Sequence, residues 1–170
     1  MNIKWIGAIL VIVGCGGFGF SIAANYLQEE RRIRQMIQAI QFMQCELQFH
    51  LTPLPELCRQ AGGISGGAIR EVLCSLASEL ESRKEPDAAS CMAAVLKKNQ
   101  TLSGRCRRLL RQLGKTLGRF DLEGQLQGLQ AVCAACLEAR DSLQKDRDTR
   151  LRSYRTLGLC AGAALAILFL

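Results

Sequence analysis

The chain has 170 residues, a length suited to one ordinary domain, and 49% of them are hydrophobic while 5% are aromatic. This hydrophobicity excludes an intrinsically disordered chain, and the absence of a short repeat or a biased tract excludes a collagen-like or low-complexity one. The net charge is +7, and the apolar residues are concentrated at the two ends of the chain, which is atypical of an isolated soluble enzyme.

The first predicted element is a membrane-spanning helix over residues 5–27, a segment without a charged side chain. At ~1.5 Å per residue this helix is about 34 Å long, enough to cross a hydrocarbon core of about 30 Å. Lys4 followed by an apolar run also resembles a signal peptide, with Cys15 in a loose lipoprotein-type box. Because the apolar sequence continues far beyond Cys15, we favour a spanning helix over cleavage or lipidation.

Residues 28–152 are predicted to form a helical bundle, because their apolar residues follow helical spacings and no stretch alternates as a strand does. The first helix continues out of the membrane through Gln48. Thr52 is expected to cap a short second helix with Pro53 at its first position, and this helix is expected to stop at Gly62-Gly63.

Four further helices complete the predicted bundle. A third helix buries apolar residues between positions 69 and 80, a fourth runs from about residue 86 to residue 98, and a fifth ends near Gly118 after a cap at Thr101 or Ser103. Asp121 is expected to cap the last helix. The apolar positions of that helix recur every three or four residues and predict packing along the first helix: Leu122, Leu126, Leu129, Cys133, Cys136 and Leu143.

A second, shorter membrane helix is predicted for residues 156–170, which carry no charge and would form a helix of about 22 Å. The alternative is a helical tail packed on the protein core. On each apolar segment, the side that faces the middle of the chain carries more basic residues than the side that faces the terminus. The positive-inside rule therefore places residues 28–152 in the cytoplasm and both termini outside. The expected fold is therefore all-α: an antiparallel bundle of about six helices with membrane helices at the N- and C-termini.

The polar and sulfur chemistry of the chain does not predict an enzyme. Cys133 and Cys136 form a lone CxxC pair inside a helix, and His50 is the single histidine, so the ligands of a structural zinc site are missing. We expect no catalytic residue, no cofactor and no metal. Most cysteines are expected to act as small buried hydrophobic residues: Cys45, Cys58, Cys74, Cys91, Cys106, Cys133 and Cys136. The arginines next to the predicted membrane segments explain part of the excess of basic over acidic residues, and no nucleic-acid partner is expected.

Three segments resemble the stage III sporulation protein AB family of endospore-forming bacteria. The first is residues 31–35 (RRIRQ) after the N-terminal apolar segment. The second is residues 46–54 (ELQFHLTPL), which contain Thr52, Pro53 and Leu54. The third is residues 113–121 (LGKTLGRFD) with the residues that follow; its matching positions are Gly114, Gly118, Asp121 and Gln125. The likeness extends over essentially the whole chain, although the many cysteines are not a feature of the family pattern.

This resemblance implies a non-enzymatic platform subunit of a secretion or channel complex between mother cell and forespore. It implies a cytoplasmic domain similar to that of the type II secretion F protein, in the mother-cell membrane facing the forespore. The implied partners are the mother-cell ATPase of the same complex and other membrane subunits. The sequence leaves two alternatives open: a membrane-tethered adaptor outside sporulation, and a redox or metal sensor that uses the cysteines.

Overall fold

Six α-helices make up this computed structural model, which describes the backbone of residues 3–118 and 121–169 and the side chains of residues 25–118 and 121–146. The helices are α1 (Ile3–Phe49), α2 (Leu54–Ile64), α3 (Gly67–Ser82), α4 (Ala88–Lys98), α5 (Gly104–Thr116) and α6 (Leu122–Phe169). The described backbone contains no strand. The predicted all-α class and the predicted number of helices are therefore confirmed.

The chain divides into two units. One comprises residues 1–28 and 141–170, and so contains the first part of α1 and the last part of α6. A search of the described residues finds no helix of sufficient length and apolar character to span a bilayer. The predicted membrane segments, 5–27 and 156–170, lie outside the residues with described side chains except for positions 25–27.

The second unit, residues 29–140, is a helical bundle with an apolar core. Within this unit the inward residues of α1 recur every three or four positions, so they form one apolar stripe along the helix. All of them are buried: Ile33, Met36, Ile37, Ile40, Met43 and Leu47. The stripes predicted for α4 and α5 are buried throughout as well, which confirms that helical periodicity identified the core of these elements.

Neighbouring helices of the bundle run antiparallel. In α1 and α6, the sulfur atoms of Met36 and Cys136 lie 3.6 Å apart, whereas Leu47 and Leu122, at the opposite end of the pair, line one cleft. In α4 and α5, the guanidinium of Arg107 donates to the carbonyl of Asn99 at 3.0 Å. The predicted packing of the last helix along the first is thus present within residues 29–140.

Side chains cap three of the helix starts. Asp87, Ser103 and Asp121 each accept a hydrogen bond from the backbone N–H three residues later, at 2.9, 3.2 and 3.1 Å. Each of these bonds satisfies an N–H group that has no partner inside its helix. The predicted caps at Asp121 and Ser103 are confirmed.

The predicted start and end of the second helix were wrong. Pro53, not Thr52, is the N-cap residue of α2, and the Thr52 hydroxyl instead donates to the carboxylate of Glu46 at 2.9 Å. A charged acceptor makes the stronger bond, which explains this choice of partner. The helix also continues past Gly62-Gly63 to Ile64. Gly62 serves close packing rather than helix termination, because a Cβ there would lie 2.8 Å from the Cys74 sulfur.

Two further predictions about burial need correction. Leu122 was expected in the packed seam of α6 but is 40% exposed, and Leu126 is only half-buried, because the start of α6 extends to the end of the bundle, where fewer helices surround it. The fully packed seam begins at Leu129. Cys45 was expected to be buried but is exposed.

Gly114 marks a close approach of α5 to α4. A Cβ at this position would lie 2.6 Å from the Cβ of Met92, an atom that cannot move without the backbone. We expect Gly114→Ala to lower the free energy of unfolding by about 1–3 kcal/mol, in spite of the better helix propensity of alanine.

The matched control is Gly63→Ala, since no heavy atom lies within 4 Å of a Cβ built there. This change should raise stability by roughly 0.5 kcal/mol through helix propensity alone. Urea unfolding of the two variants measures the difference. Equal stability of the two alanine variants would show that α4 and α5 are not in close contact at Gly114.

Candidate functional site

One end of the bundle brings together four helix ends: α1 and α5 end there, and α2 and α6 begin there. We call this end the tip. The bundle starts at Glu29 and finishes at Arg140, and the Ser103 hydroxyl donates to Glu29 at 2.8 Å near that opposite end. The stretch of α1 from Glu29 to Phe49 is about 30 Å long. The tip is therefore the part of the bundle farthest along α1 from the points where the chain enters and leaves it.

A cleft with a volume of about 290 Å³ lies at the tip. Its lining combines four leucines with two polar residues: Leu47, Leu51, Leu54 and Leu122, with Thr52 and Gln125. These residues come from the α1–α2 connection and from the start of α6, which are far apart in the sequence. The fold thus joins two separate segments into one surface feature with both apolar and polar lining residues.

Most of the positions that carry the family resemblance converge on this cleft. Thr52, Leu54 and Gln125 line it. Gly118 lies against it, because a Cβ at that position would be 3.2 Å from Cδ2 of Leu54. The backbone of Gly118 has a φ of 70°, which glycine adopts without strain.

The remaining positions shape the tip or lie away from it. Asp121 fixes the start of α6, since its carbonyl accepts from the Gln125 N–H at 2.9 Å in addition to its side-chain cap. Pro53 sets the start of α2. Gly114 lies one helical turn before Gly118 and packs on α4, so its contacts belong to the core and not to the cleft.

The sequence did not predict the exposure of two apolar side chains at the connection from α1 to α2. Phe49 is 70% exposed and Leu51 is 67% exposed, on the two sides of His50. The signal available in the sequence was the break between two helices at a point where apolar residues continue. Exposed large apolar side chains around a cleft are typical of a surface that another protein covers.

Leu51 is also held in an unfavourable backbone conformation, with a φ of 50°. The left-handed region costs a residue other than glycine roughly 1–2 kcal/mol. Such strain is concentrated at functional positions, where the surrounding structure enforces it. The strained connection places Leu51 at the mouth of the cleft instead of in the core.

Two described carboxylates lie close in the chain to the neutral polar residues of the cleft lining, Thr52 and Gln125. The Glu46 carboxylate accepts from Thr52 and lies 3.6 Å from Nδ1 of His50, an ion pair only when the histidine is protonated. Asp121 adds a second carboxylate near the start of α6.

Five cysteines of the bundle are buried, whereas Cys45 is exposed and Cys74 is half-buried. Burial raises the pKa of the Cys58 thiol to about 12. Burial also raises the pKa of Cys136 to about 12, with a smaller contribution from the neighbouring Cys133, whose own pKa is raised by burial. Thiols with raised pKa values stay protonated near neutral pH and are poor nucleophiles and metal ligands. In the described part of the chain, no group of three or more His, Cys, Asp or Glu side chains is placed to hold a metal ion.

A second, larger cleft of about 600 Å³ lies between α3 and the α4–α5 connection and is lined mainly by polar residues. Its most prominent charges are already paired, since Lys98 donates to Glu79 at 2.6 Å. This hydrogen bond and the charge of Lys98 hold the pKa of the Glu79 carboxyl below its usual value. None of the positions that carry the family resemblance lines this cleft.

The fold and the site are those of a helical-bundle protein with a leucine-lined cleft at its tip. The chain belongs to the stage III sporulation protein AB family, whose family model matches residues 4–170. Stage III sporulation protein AB of Bacillus subtilis (strain 168) is 22% identical over 170 residues, which are 99% of each chain. A solved structure of a stage III sporulation protein AB covers 72% of this chain and 98% of that chain, with a TM-score of 0.63 and 20% identity, which shows a shared fold.

Proposed function

We propose that this chain is a non-enzymatic membrane platform subunit of a sporulation complex between mother cell and forespore, and that its tip docks the cognate cytoplasmic ATPase. Membership in a sporulation protein family supports the role in sporulation. The observation that carries the docking role is the convergence of Thr52, Leu54 and Gln125 on one apolar cleft. All three side chains are half-buried, so part of each remains available to a partner.

The charge distribution of the sequence supports the proposed placement. The apolar segments 5–27 and 156–170 anchor the chain in the mother-cell membrane, and the basic residues beside them keep residues 28–152 in the cytoplasm. The tip is the part of the bundle farthest along α1 from the residues at which the chain enters and leaves the bundle, and it is the surface that we assign to the ATPase.

The cleft has the properties of an anchor site for one partner segment. It is concave and lined by four leucines, and Leu51 in its lining and Phe49 two residues earlier in the chain are both largely exposed. Docking would remove these side chains from water, which contributes about 1.5–3 kcal/mol for each fully buried residue. Binding of this kind recruits the ATPase without any chemistry on the platform itself.

The direct experiment is to reconstitute the full chain in neutral-lipid nanodiscs and to measure binding of the cognate ATPase by biolayer interferometry. We expect saturable binding. An ATPase from an unrelated secretion system is the control and should not bind. Absence of binding to the cognate ATPase, both with and without nucleotide, would contradict the proposed function.

A further inference from the structure

Helix α5 is rich in positive charge. It carries basic residues and no acidic residue over its full length from Gly104 to Thr116. Two of the basic residues are used inside the bundle: Arg105 donates to the Ala139 carbonyl at 3.5 Å, and Arg107 to the Asn99 carbonyl at 3.0 Å. The other three, Arg108, Arg111 and Lys115, are exposed. We call these three the basic stripe.

The basic stripe occupies one face of α5. Its members are separated by three and four residues, a spacing that places side chains one above the other on a helix. The opposite face is buried and includes Leu109, Leu110 and Leu113. The stripe therefore points away from the core, along about 10 Å of the helix axis.

Some other basic residues of the bundle are paired with carboxylates. Arg34 pairs with Glu30 at 2.8 Å, and Arg59 pairs with Glu56 at 2.9 Å and also with Glu81. Among the residues that the structure describes, no carboxylate forms an ion pair with a member of the stripe. Like charges at these spacings repel, which costs each pair a few tenths of a kcal/mol. The bundle thus keeps three neighbouring positive charges uncompensated.

We propose that the basic stripe is a second interaction surface, which binds an acidic helical segment of a protein partner. A partner helix with carboxylates three and four residues apart has the same repeat as the stripe and can pair with all three cations at once. The stripe runs along the bundle, from the end where Ser103 contacts Glu29 toward the tip. A partner bound there lies alongside the bundle and leaves the cleft at the tip free.

A protein segment fits this geometry better than a membrane or a nucleic acid. The charges of a bilayer surface have no three- and four-residue repeat, so a bilayer gains nothing from the spacing of the stripe. Nucleic-acid interfaces use more phosphate contacts than three cations supply. An acidic helix requires only the contacts that the stripe offers.

The test measures binding of an alanine-based helical peptide whose glutamates recur every three and four residues. The full chain, in neutral detergent, is titrated into the fluorescently labelled peptide, and Kd is obtained from anisotropy at low and at high salt. The comparison variant reverses the stripe: Arg108→Glu, Arg111→Glu and Lys115→Glu. The matched control reverses three exposed basic residues elsewhere: Arg70→Glu, Arg83→Glu and Lys84→Glu.

We expect the stripe variant to bind the peptide about tenfold more weakly than the wild-type chain. The control variant should keep the wild-type Kd, and salt should weaken the wild-type binding. A glutamine version of the peptide should not bind. Circular dichroism should show the same helix content in all three proteins.

Several outcomes would overturn the proposal. The first is no binding of the glutamate peptide, and the second is an equal loss in the control variant. The third is tighter binding of phosphatidylserine vesicles or duplex DNA through the same three residues, which would assign the surface to another partner class. None of these measurements involves the ATPase, so failure here leaves docking at the tip standing, and the reverse also holds.

Discussion

Replacing Leu129 by aspartate should unfold the bundle of residues 29–140. Leu129 is fully buried in α6, so the new carboxylate would lose its hydration without gaining a partner. Removing the buried leucine costs about 2–5 kcal/mol, and burying an unpaired polar or charged group costs several more. Domains of this size are stable by only about 5–15 kcal/mol, so the substitution removes most or all of the stability.

The measurement is a thermal melt of the full chain, followed by circular dichroism. The matched control is Leu137→Asp on the same helix, where the side chain is 37% exposed and the carboxylate can stay hydrated. This control should melt close to the wild type. A cooperative melt of Leu129→Asp near the wild-type temperature would show that the register of α6 in the core is wrong.

The double variant Phe49→Asp with Leu51→Asp should lose ATPase binding while keeping its fold. Both side chains are largely exposed, so the substitutions remove apolar surface from the tip and leave the core intact. Residues at the centre of a protein interface contribute about 2 kcal/mol or more each, so we expect at least a hundredfold increase in Kd. Thermal stability should be unchanged or slightly higher, because aspartate tolerates the left-handed backbone of Leu51 better than leucine does.

The control for this variant places aspartate at exposed apolar residues away from the tip, with Ile64→Asp and Leu137→Asp. It has the same change in charge and a similar loss of apolar surface. Binding to the ATPase should stay at the wild-type level. Equal binding by both double variants would remove the tip from the docking mechanism, and an equal loss in both would indicate an unspecific effect of charge.

Helical periodicity determined most of the fold, because the long-range packing of this bundle follows from simple apolar stripes. The stripe of α1 from Ile33 to Leu47 was predicted residue by residue, and all of it is buried. The caps Ser103 and Asp121 were predictable for a local reason, since a side-chain acceptor satisfies the free N–H groups of its own helix.

The errors concern residues whose environment depends on a distant part of the chain. Thr52 is of a residue type that often caps helices, but its hydroxyl donates to Glu46 of the preceding helix instead. Glycine often ends a helix, but Gly62 lies inside α2, where its lack of a side chain allows the close approach of Cys74 in α3. Leu122 fits the heptad pattern of α6, yet its place at the end of the bundle leaves it exposed.

The sequence analysis identified residues of the candidate site but did not predict that they lie close together. The family resemblance selected Thr52, Leu54 and Gln125, while nothing in their spacing indicated that they line one cleft. The exposure of Phe49 and Leu51 was not predicted either, because apolar residues next to a helix end are expected to pack inward. The left-handed backbone of Leu51 is a property of the tertiary structure and has no local sequence signature.

The central claim is that the bundle lies in the cytoplasm, held by membrane segments at both ends of the chain. Lys97 is an exposed residue of α4 and reports on this placement directly. Cells expressing the full chain are treated with a membrane-impermeant amine reagent, before and after permeabilisation, and the peptide that contains Lys97 is quantified by mass spectrometry. The account predicts modification only after permeabilisation, and modification of Lys97 in intact cells would contradict it.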